Sequence, residues 1–239
     1  MNDRLLDDAA LESSSVVANC AVNRERGLDG PNSYTRELGF NPLDLIRDRL
    51  AADPGTRVAW LDLCCGTGRP LLQAARRLAH AGLAERTVLV GVDLVDHFDP
   101  TDPPRGVDLV CASVTSWRPD RRFDLVTCVH GLHYVGDKLG ALARAASWLT
   151  DDGLLVVDLD LASIRLADGT PAGRQLVAAV RRAGLGYDPR RHRVTCTGRR
   201  DVALPYAYRG ADDRAGPNYT GQPAVDSYYE PAGQPAVPG

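Results

Sequence analysis

Lysine is almost missing from this chain: of its 28 basic residues only Lys138 is not an arginine. That skew reads as coding bias, not as chemistry. A formal net charge of −3 supplies no global drive toward nucleic acid or an anionic membrane. No apolar run is long enough to cross a bilayer. The acidic start Met1-Asn2-Asp3-Arg4-Leu5-Leu6-Asp7-Asp8 lacks the basic-then-apolar layout of a secretion signal, so a cytoplasmic location is expected. The six cysteines include no C-x-x-C pair and no zinc-ligand spacing, and no metal site is expected. A disulfide scaffold is not expected at this length. Cys64, Cys111 and Cys128 fall at the ends of apolar runs, where a reduced thiol acts as a small hydrophobe. No internal repeat is present.

What is there suffices for a sizeable core: 239 residues, 44% hydrophobic and 25% charged. Residues 1–55 read as a helical cap. A helix is expected over 5–22, weakened by Ser13-Ser14-Ser15 and closed by the turn formers of 27–32. Asn41-Pro42 then supplies an N-cap and an N1 proline for a helix over 43–50. From residue 56 short β-rich runs alternate with longer helical ones. Strands are expected over 58–63, 87–92, 107–111, 123–129 and 153–158. Helices are expected over 69–81, 138–149 and 172–183, with a shorter one near 96–100. Nearly continuous apolar strands between helices predict a doubly wound, mostly parallel α/β sheet covered on both faces. Segments 187–197 and 202–208 read as an antiparallel pair joined near Gly198. Residues 210–239, rich in Gly, Pro and Tyr, form a tail read as a lid or a mobile end.

The most informative run is Val58-Ala59-Trp60-Leu61-Asp62-Leu63-Cys64-Cys65-Gly66-Thr67-Gly68-Arg69. An apolar strand enters a glycine turn, a helix follows, and a second strand ends on Asp93. A dinucleotide turn wants three glycines, and only Gly66 and Gly68 are present. A Walker loop needs Gly-Lys-Ser/Thr, which is absent. Asp62 beside the turn would repel a phosphate and suit a cationic ligand.

Leu61-Asp62-Leu63-Cys64-Cys65-Gly66-Thr67-Gly68 resembles the first motif of the class I S-adenosylmethionine-dependent methyltransferases, and later landmarks follow in family order over roughly 58–208. Asp93, with Leu94 beside it, resembles the acidic residue that holds the ribose hydroxyls. Ala112-Ser113-Val114 resembles the adenine loop. Phe123-Asp124-Leu125-Val126 and Val129-His130-Gly131-Leu132-His133-Tyr134 resemble the fourth strand and the loop after it, and the run 148–157 resembles the fifth strand with its preceding turn. The resemblance implies a Rossmann-like, seven-stranded sheet with a reversed C-terminal strand. It also implies S-adenosylmethionine as cofactor, with S-adenosylhomocysteine as product. It places Asp62, Cys64, Gly66, Gly68, Asp93, Leu94, Ser113, Val114, Val129 and His130 at the cofactor. Cys64 replaces the family's first turn glycine, which calls for a backbone conformation that a Cβ tolerates. Ser113 stands where many relatives carry aspartate, leaving the adenine amino group a weaker or water-mediated partner. Cys64 and Cys65 read as small buried residues, not redox groups.

Methyl transfer needs alignment above all, and a base only where the acceptor holds a proton. His133 is the candidate base, against a structural role inside the sheet edge. His130 is expected to line the pocket, facing cofactor or acceptor. His80 and His192 are expected in solvent. The polar segment 23–36 offers Tyr34, or a nearby arginine, to the methionine carboxylate, with a plain surface loop as the alternative. Arg190, Arg191, Arg193, Arg199 and Arg200 form a basic patch, read as a solvated face before an RNA contact. The function expected is methyl transfer to a small-molecule acceptor at an O, N or C centre. The alternatives are an RNA or protein methyltransferase, and a cofactor-binding regulatory protein without transferase activity.

Overall fold

The computed structural model describes residues 5–18, 25–99 and 102–232. The chain opens with short helices α1 (Asp8–Glu12), α2 (Ser15–Ala18) and α3 (Tyr34–Leu38), then α4 (Pro42–Ala52). The single helix expected over 5–22 is broken at Ser13, whose hydroxyl turns back to the carbonyl of Ala9. Residues 19–22 of that expectation lie outside the described residues. The α4 start is as expected: the Asn41 side chain accepts from the Leu43 N–H and Pro42 opens the helix.

The main sheet then forms from β1 (Val58–Leu63), α5 (Arg69–His80), β2 (Thr87–Asp93), β3 (Val107–Cys111), β4 (Phe123–Cys128), α6 (Lys138–Ser147) and β5 (Leu149–Asp158). No helix forms at 96–98, where the chain runs on in irregular backbone; Pro100 lies outside the described residues. The later elements are β6 (Ile164–Leu166), α7 (Gly173–Arg182), β7 (Gly186–Asp188), β8 (Arg193–Thr197), β9 (Tyr206–Asp212) and β10 (Asp226–Pro231). Strand order is β3-β2-β1-β4-β5-β8-β7, with β8 antiparallel to both neighbours and the other pairings parallel. This is the doubly wound sheet with one reversed strand.

Strand parity decides what each face receives. On β1, Leu61 and Leu63 join the layer beneath α6 and α7, whereas Val58 and Trp60 join the layer beneath α3, α4 and α5. Asp62 shares the parity of Trp60. It therefore enters the second apolar layer, where Tyr34 and Thr127 meet it.

The C-terminal part differs from the expected pair. The run 187–197 splits into β7 and β8, which pair with each other and extend the main sheet beyond β5. The run 202–208 does not join them, because β9 leaves for a second, three-stranded sheet ordered β6-β10-β9. Strand β10 lies inside the stretch read as a lid or mobile tail, and β9 runs across residue 210. Two buried side chains fasten β10. Lys138 Nζ donates to the Val225 carbonyl (2.6 Å) and to Ser227 Oγ (2.7 Å). The Tyr229 hydroxyl accepts from the Leu139 N–H (3.0 Å) and donates to Asp137 (3.1 Å). Residues 233–239 lie outside the described residues. No described helix is long and apolar enough to cross a membrane.

Candidate functional site

Strand order reverses between β1 and β4, and open sheets of this kind bind ligands at the carboxyl ends of the strands on either side of that point. The residues that leave those two ends, Cys64 and His130, both hold φ 55. Left-handed backbone on a residue with a Cβ costs on the order of 1–3 kcal/mol. Cys64 thus takes the left-handed backbone that favours glycine, contrary to the expectation of a bend that suits a Cβ. Room for its side chain comes from across the crevice: a Cβ on Gly131 would lie 2.3 Å from the Cys64 Cβ. The glycine missing at 64 is compensated by the glycine at 131.

Between these turns and α1 lies a cavity. It brings together six predicted residues: Cys64, Gly66, Asp93, Leu94, Ser113 and Val114. Gly66, at φ 61, presents backbone and no side chain to the cavity. Asp93 is held by two backbone donors, Gly66 N–H (2.8 Å) and Val95 N–H (3.2 Å). A carboxylate can accept from both hydroxyls of a vicinal diol. Leu11, Val17, Leu94 and Val114 give the cavity apolar walls that suit a planar base. Its carboxylates are Asp8, Glu12 and Asp93, beside one histidine, His97, and no arginine or lysine among the described residues lines it. A polyphosphate would be repelled there, and a sulfonium nucleoside fits. Asp8 and Glu12 escape a sequence reading because they precede the glycine turn by more than 50 residues and belong to no motif.

Four other predicted cofactor residues do not reach this lining. Asp62 is fully buried and accepts from Tyr34 (2.8 Å) and Thr127 (2.6 Å), while Trp60 Nε1 donates to Thr127 (2.8 Å). Burial pushes the Asp62 carboxyl up to about 7 against the pull of those two hydroxyls, with the Asp93 charge adding to the rise. Burial, followed by the charge and hydrogen bond of Asp62, raises the Tyr34 phenol well above its ordinary value. Tyr34 is thus spent on Asp62 and not offered to a methionine carboxylate. Gly68, at φ 71, is needed for packing: a Cβ would stand 2.7 Å from Leu109 Cδ2 on β3. Val129 points into the apolar layer beneath α3–α5. Asn23 and Arg24 lie outside the described residues.

The remaining two, His130 and His133, belong to a second cluster over β4, β5 and β8. His130 Nε2 lies 3.1 Å from Glu37 Oε2 on α3, and its Nδ1 lies 3.3 Å from the Tyr219 hydroxyl. The hydrogen bond from His130, then Arg26, lowers Glu37 to about 2. An ionised carboxylate only accepts, so Nε2 carries the proton and Nδ1 of the neutral ring presents a lone pair to Tyr219. His133 stacks beside His130, with ring centroids 5.7 Å apart and the ring 1% exposed. Neither of its nitrogens has a hydrogen-bond partner among the described residues. Burial, then the His130, Lys138 and His192 charges, lowers it to about 3.

His192, expected in solvent, instead stacks on Tyr219 at 3.9 Å. Arg193, counted in the basic patch, is buried. It binds Asp158 through Nε (3.0 Å) and Nη2 (2.9 Å) and caps the carbonyls of Glu37 and Leu38. Asp158 in turn accepts the His130 N–H (3.4 Å), and burial raises its carboxyl. Glu37, Asp158 and Tyr219 are absent from the predicted set; they come from α3, β5 and the segment before β10, and only folding assembles them.

A methyltransferase domain family matches the chain over residues 35–194. Among solved structures, the plantazolicin methyltransferase in complex with S-adenosylhomocysteine is 16% identical, with 51% of this chain and 46% of that one covered and a TM-score of 0.40. An amino pentose methyltransferase of calicheamicin biosynthesis from Micromonospora echinaspora, solved with S-adenosylmethionine, is 25% identical over 52% of each chain, with a TM-score of 0.35. The magnesium protoporphyrin IX methyltransferase of Synechocystis PCC 6803 is 14% identical over 52% of this chain and 58% of that one, with a TM-score of 0.36. The chain spans about half the length of these proteins. No curated protein matches it. The family match takes in about two thirds of the residues, from α3 through β8, and on that match the chain belongs to the class I, S-adenosylmethionine-dependent methyltransferase domain family.

Proposed function

We propose that this chain transfers a methyl group from S-adenosylmethionine to a small-molecule acceptor. The observation that carries the reading is a cavity at the strand-order reversal lined by three carboxylates and by no described arginine or lysine. When bound, the cofactor supplies an activated methyl on a sulfonium, whose departure needs no proton from the protein. Asp93 would accept from the ribose hydroxyls, the Gly66 turn would pass beneath the ligand, and Val114 and Leu94 would hold the base.

The acceptor side is assigned to His130 and its neighbours. Glu37 fixes the tautomer of His130, and Nδ1, which meets the Tyr219 hydroxyl, would take a hydroxyl proton once the acceptor displaces that phenol. The base role proposed for His133 passes to His130, because an imidazole lowered to about 3 holds a proton too weakly to take one near neutrality. A proton leaving an acceptor hydroxyl would go to His130 Nδ1 as the carbon–oxygen bond forms and the methyl carbon–sulfur bond breaks.

Calorimetric titration with S-adenosylmethionine and S-adenosylhomocysteine tests the cofactor reading, and absence of binding to both sinks it. Incubation with metabolite fractions, read as release of S-adenosylhomocysteine, tests the acceptor class. Release only with RNA or protein fractions would move the acceptor to a macromolecule, and cofactor binding with no release in any fraction would favour a regulatory protein.

A further inference from the structure

We propose that Glu12, on the N-terminal helix α1, reads the 6-amino group of the cofactor's adenine in place of the acidic side chain absent at position 113. The inference rests on the cofactor reading above and names a specificity residue for that site. Its starting point is the hydrogen-bond account of Ser113. A serine hydroxyl has one proton to give and two lone pairs. The Ser113 proton goes to Glu12 Oε1, since a carboxylate can only accept. Its lone pairs take the Thr115 N–H (3.1 Å) and the Thr115 hydroxyl (2.8 Å). Ser113 is saturated and has nothing left for a purine amino group.

The carboxylate that Ser113 holds is a different matter. Glu12 lines the same cavity as Ser113, Val114 and Thr115, although it is 101 residues away in the chain. One bond to Ser113 uses one of about four acceptor sites on the carboxylate. Leu11, its neighbour on α1, and Val114 supply apolar wall beside it. An adenine joined to ribose offers one donor group, the 6-amino, and otherwise only acceptors. A carboxylate pairs with that donor and repels the 6-oxo group of hypoxanthine. Glu12 would therefore select adenine over a 6-oxopurine.

Helix α1 reaches this position by pairing with the second sheet, where Leu6 and Ala211 exchange backbone hydrogen bonds (2.8 and 2.9 Å). Asp8 is the other α1 carboxylate on the cavity, and its buried Oδ1 has no hydrogen-bond partner among the described residues. It is the competing candidate.

The test compares the dissociation constants of S-adenosylhomocysteine and its 6-oxo analogue S-inosylhomocysteine by calorimetry, with thermal melts to show that each variant is folded. The wild-type chain is expected to bind the inosyl analogue at least about tenfold more weakly. Glu12→Ala should remove most of that ratio by weakening the adenosyl ligand. Glu12→Gln should remove it by strengthening the inosyl ligand, because an amide can donate as well as accept. A ratio that survives in both variants, or one lost in Asp8→Asn and kept in Glu12→Ala, overturns the assignment while leaving the cofactor reading intact. A wild-type chain that binds both analogues equally does the same. Failure of the wild-type chain to bind S-adenosylhomocysteine at all removes the cofactor reading, and this proposal with it.

Discussion

Over β1, β2 and β3 the carboxyl edge of the sheet opens into a cavity, whereas over β4, β5 and β8 the same edge is filled by His130, His133, His192 and Tyr219. Three successive strand-to-loop turns that carry sequence signals build one side of the open half, and the N-terminal helices with the loop after β4 close the other. The filled half draws on α3, the loop after β4, the end of β5, the start of β8 and the segment before β10. Strain sits on both halves in matched form, with Cys64 and His130 each at φ 55. In the open half that conformation turns the chain at the cavity. In the filled half it aims an imidazole between a carboxylate and a phenol. On the proposed function one edge serves two tasks: holding a charged nucleoside, and managing a proton beside it.

The contrast is broken most severely at Asp93. Asp93→Ala should weaken S-adenosylhomocysteine about a thousandfold in calorimetry, because two hydroxyl contacts to a charged acceptor are lost together. A change of less than about threefold would detach the ribose from this residue.

Asp62, one strand away, should behave in the opposite manner and act on stability. Its folded-state carboxyl lies at about 7, above its ordinary 3.8, so the folded chain keeps a proton that the unfolded chain releases. Stability from that proton is fully present below the unfolded value and is lost as pH rises through about 7. Relative to Asp62→Asn, the wild type should lose a few kcal/mol between about pH 4 and about pH 8, at about 1.4 kcal/mol per unit crossed. Parallel slopes in chemical denaturation would show that Asp62 is ionised in place.

On the filled half, His130→Asn should slow methyl transfer about a hundredfold while moving S-adenosylhomocysteine affinity less than about threefold. Glu37→Gln should follow it with a smaller loss, since the ring survives and only its tautomer is released. Equal losses of binding and turnover would instead place His130 on the cofactor.

The smallest effect is structural. Tyr229→Phe leaves the Leu139 N–H and Asp137 without their shared partner, and should cost about 1 kcal/mol in denaturant unfolding with cofactor affinity unchanged.

Much of the main sheet was legible because parallel, two-face-covered strands write their burial into continuous apolar runs, as 58–63 and 123–128 do. The second sheet was legible only in part: the strand expected over 202–208 overlaps the start of β9, but its pairing was missed, and β6 and β10 were not expected. Strand β6 has three residues, and β10 follows a stretch dense in turn formers. At the site, Gly66, Asp93, Ser113 and Val114 could be read because each sits at the end of a recognisable strand. Asp62 was read as a ligand-facing acid from its place beside the turn, but parity on β1 turns it into the apolar layer with Trp60. The arginine patch misled in a related way, since charge in a sequence does not reveal that Arg193 points inward to Asp158.

The sequence by itself determined the kind of ligand. A glycine turn after an apolar strand, an acid closing the next strand and a serine loop closing the third are local features, and local backbone and strand order bring them to one edge. Tertiary structure decided the rest. It turned Asp62 inward, relocated a glycine's role from 64 to 131, set Glu37 against His130 and laid Glu12 on Ser113. Each of those pairings joins residues that share no element, and a contact between distant segments exists only once the sheet has fixed where their strands end.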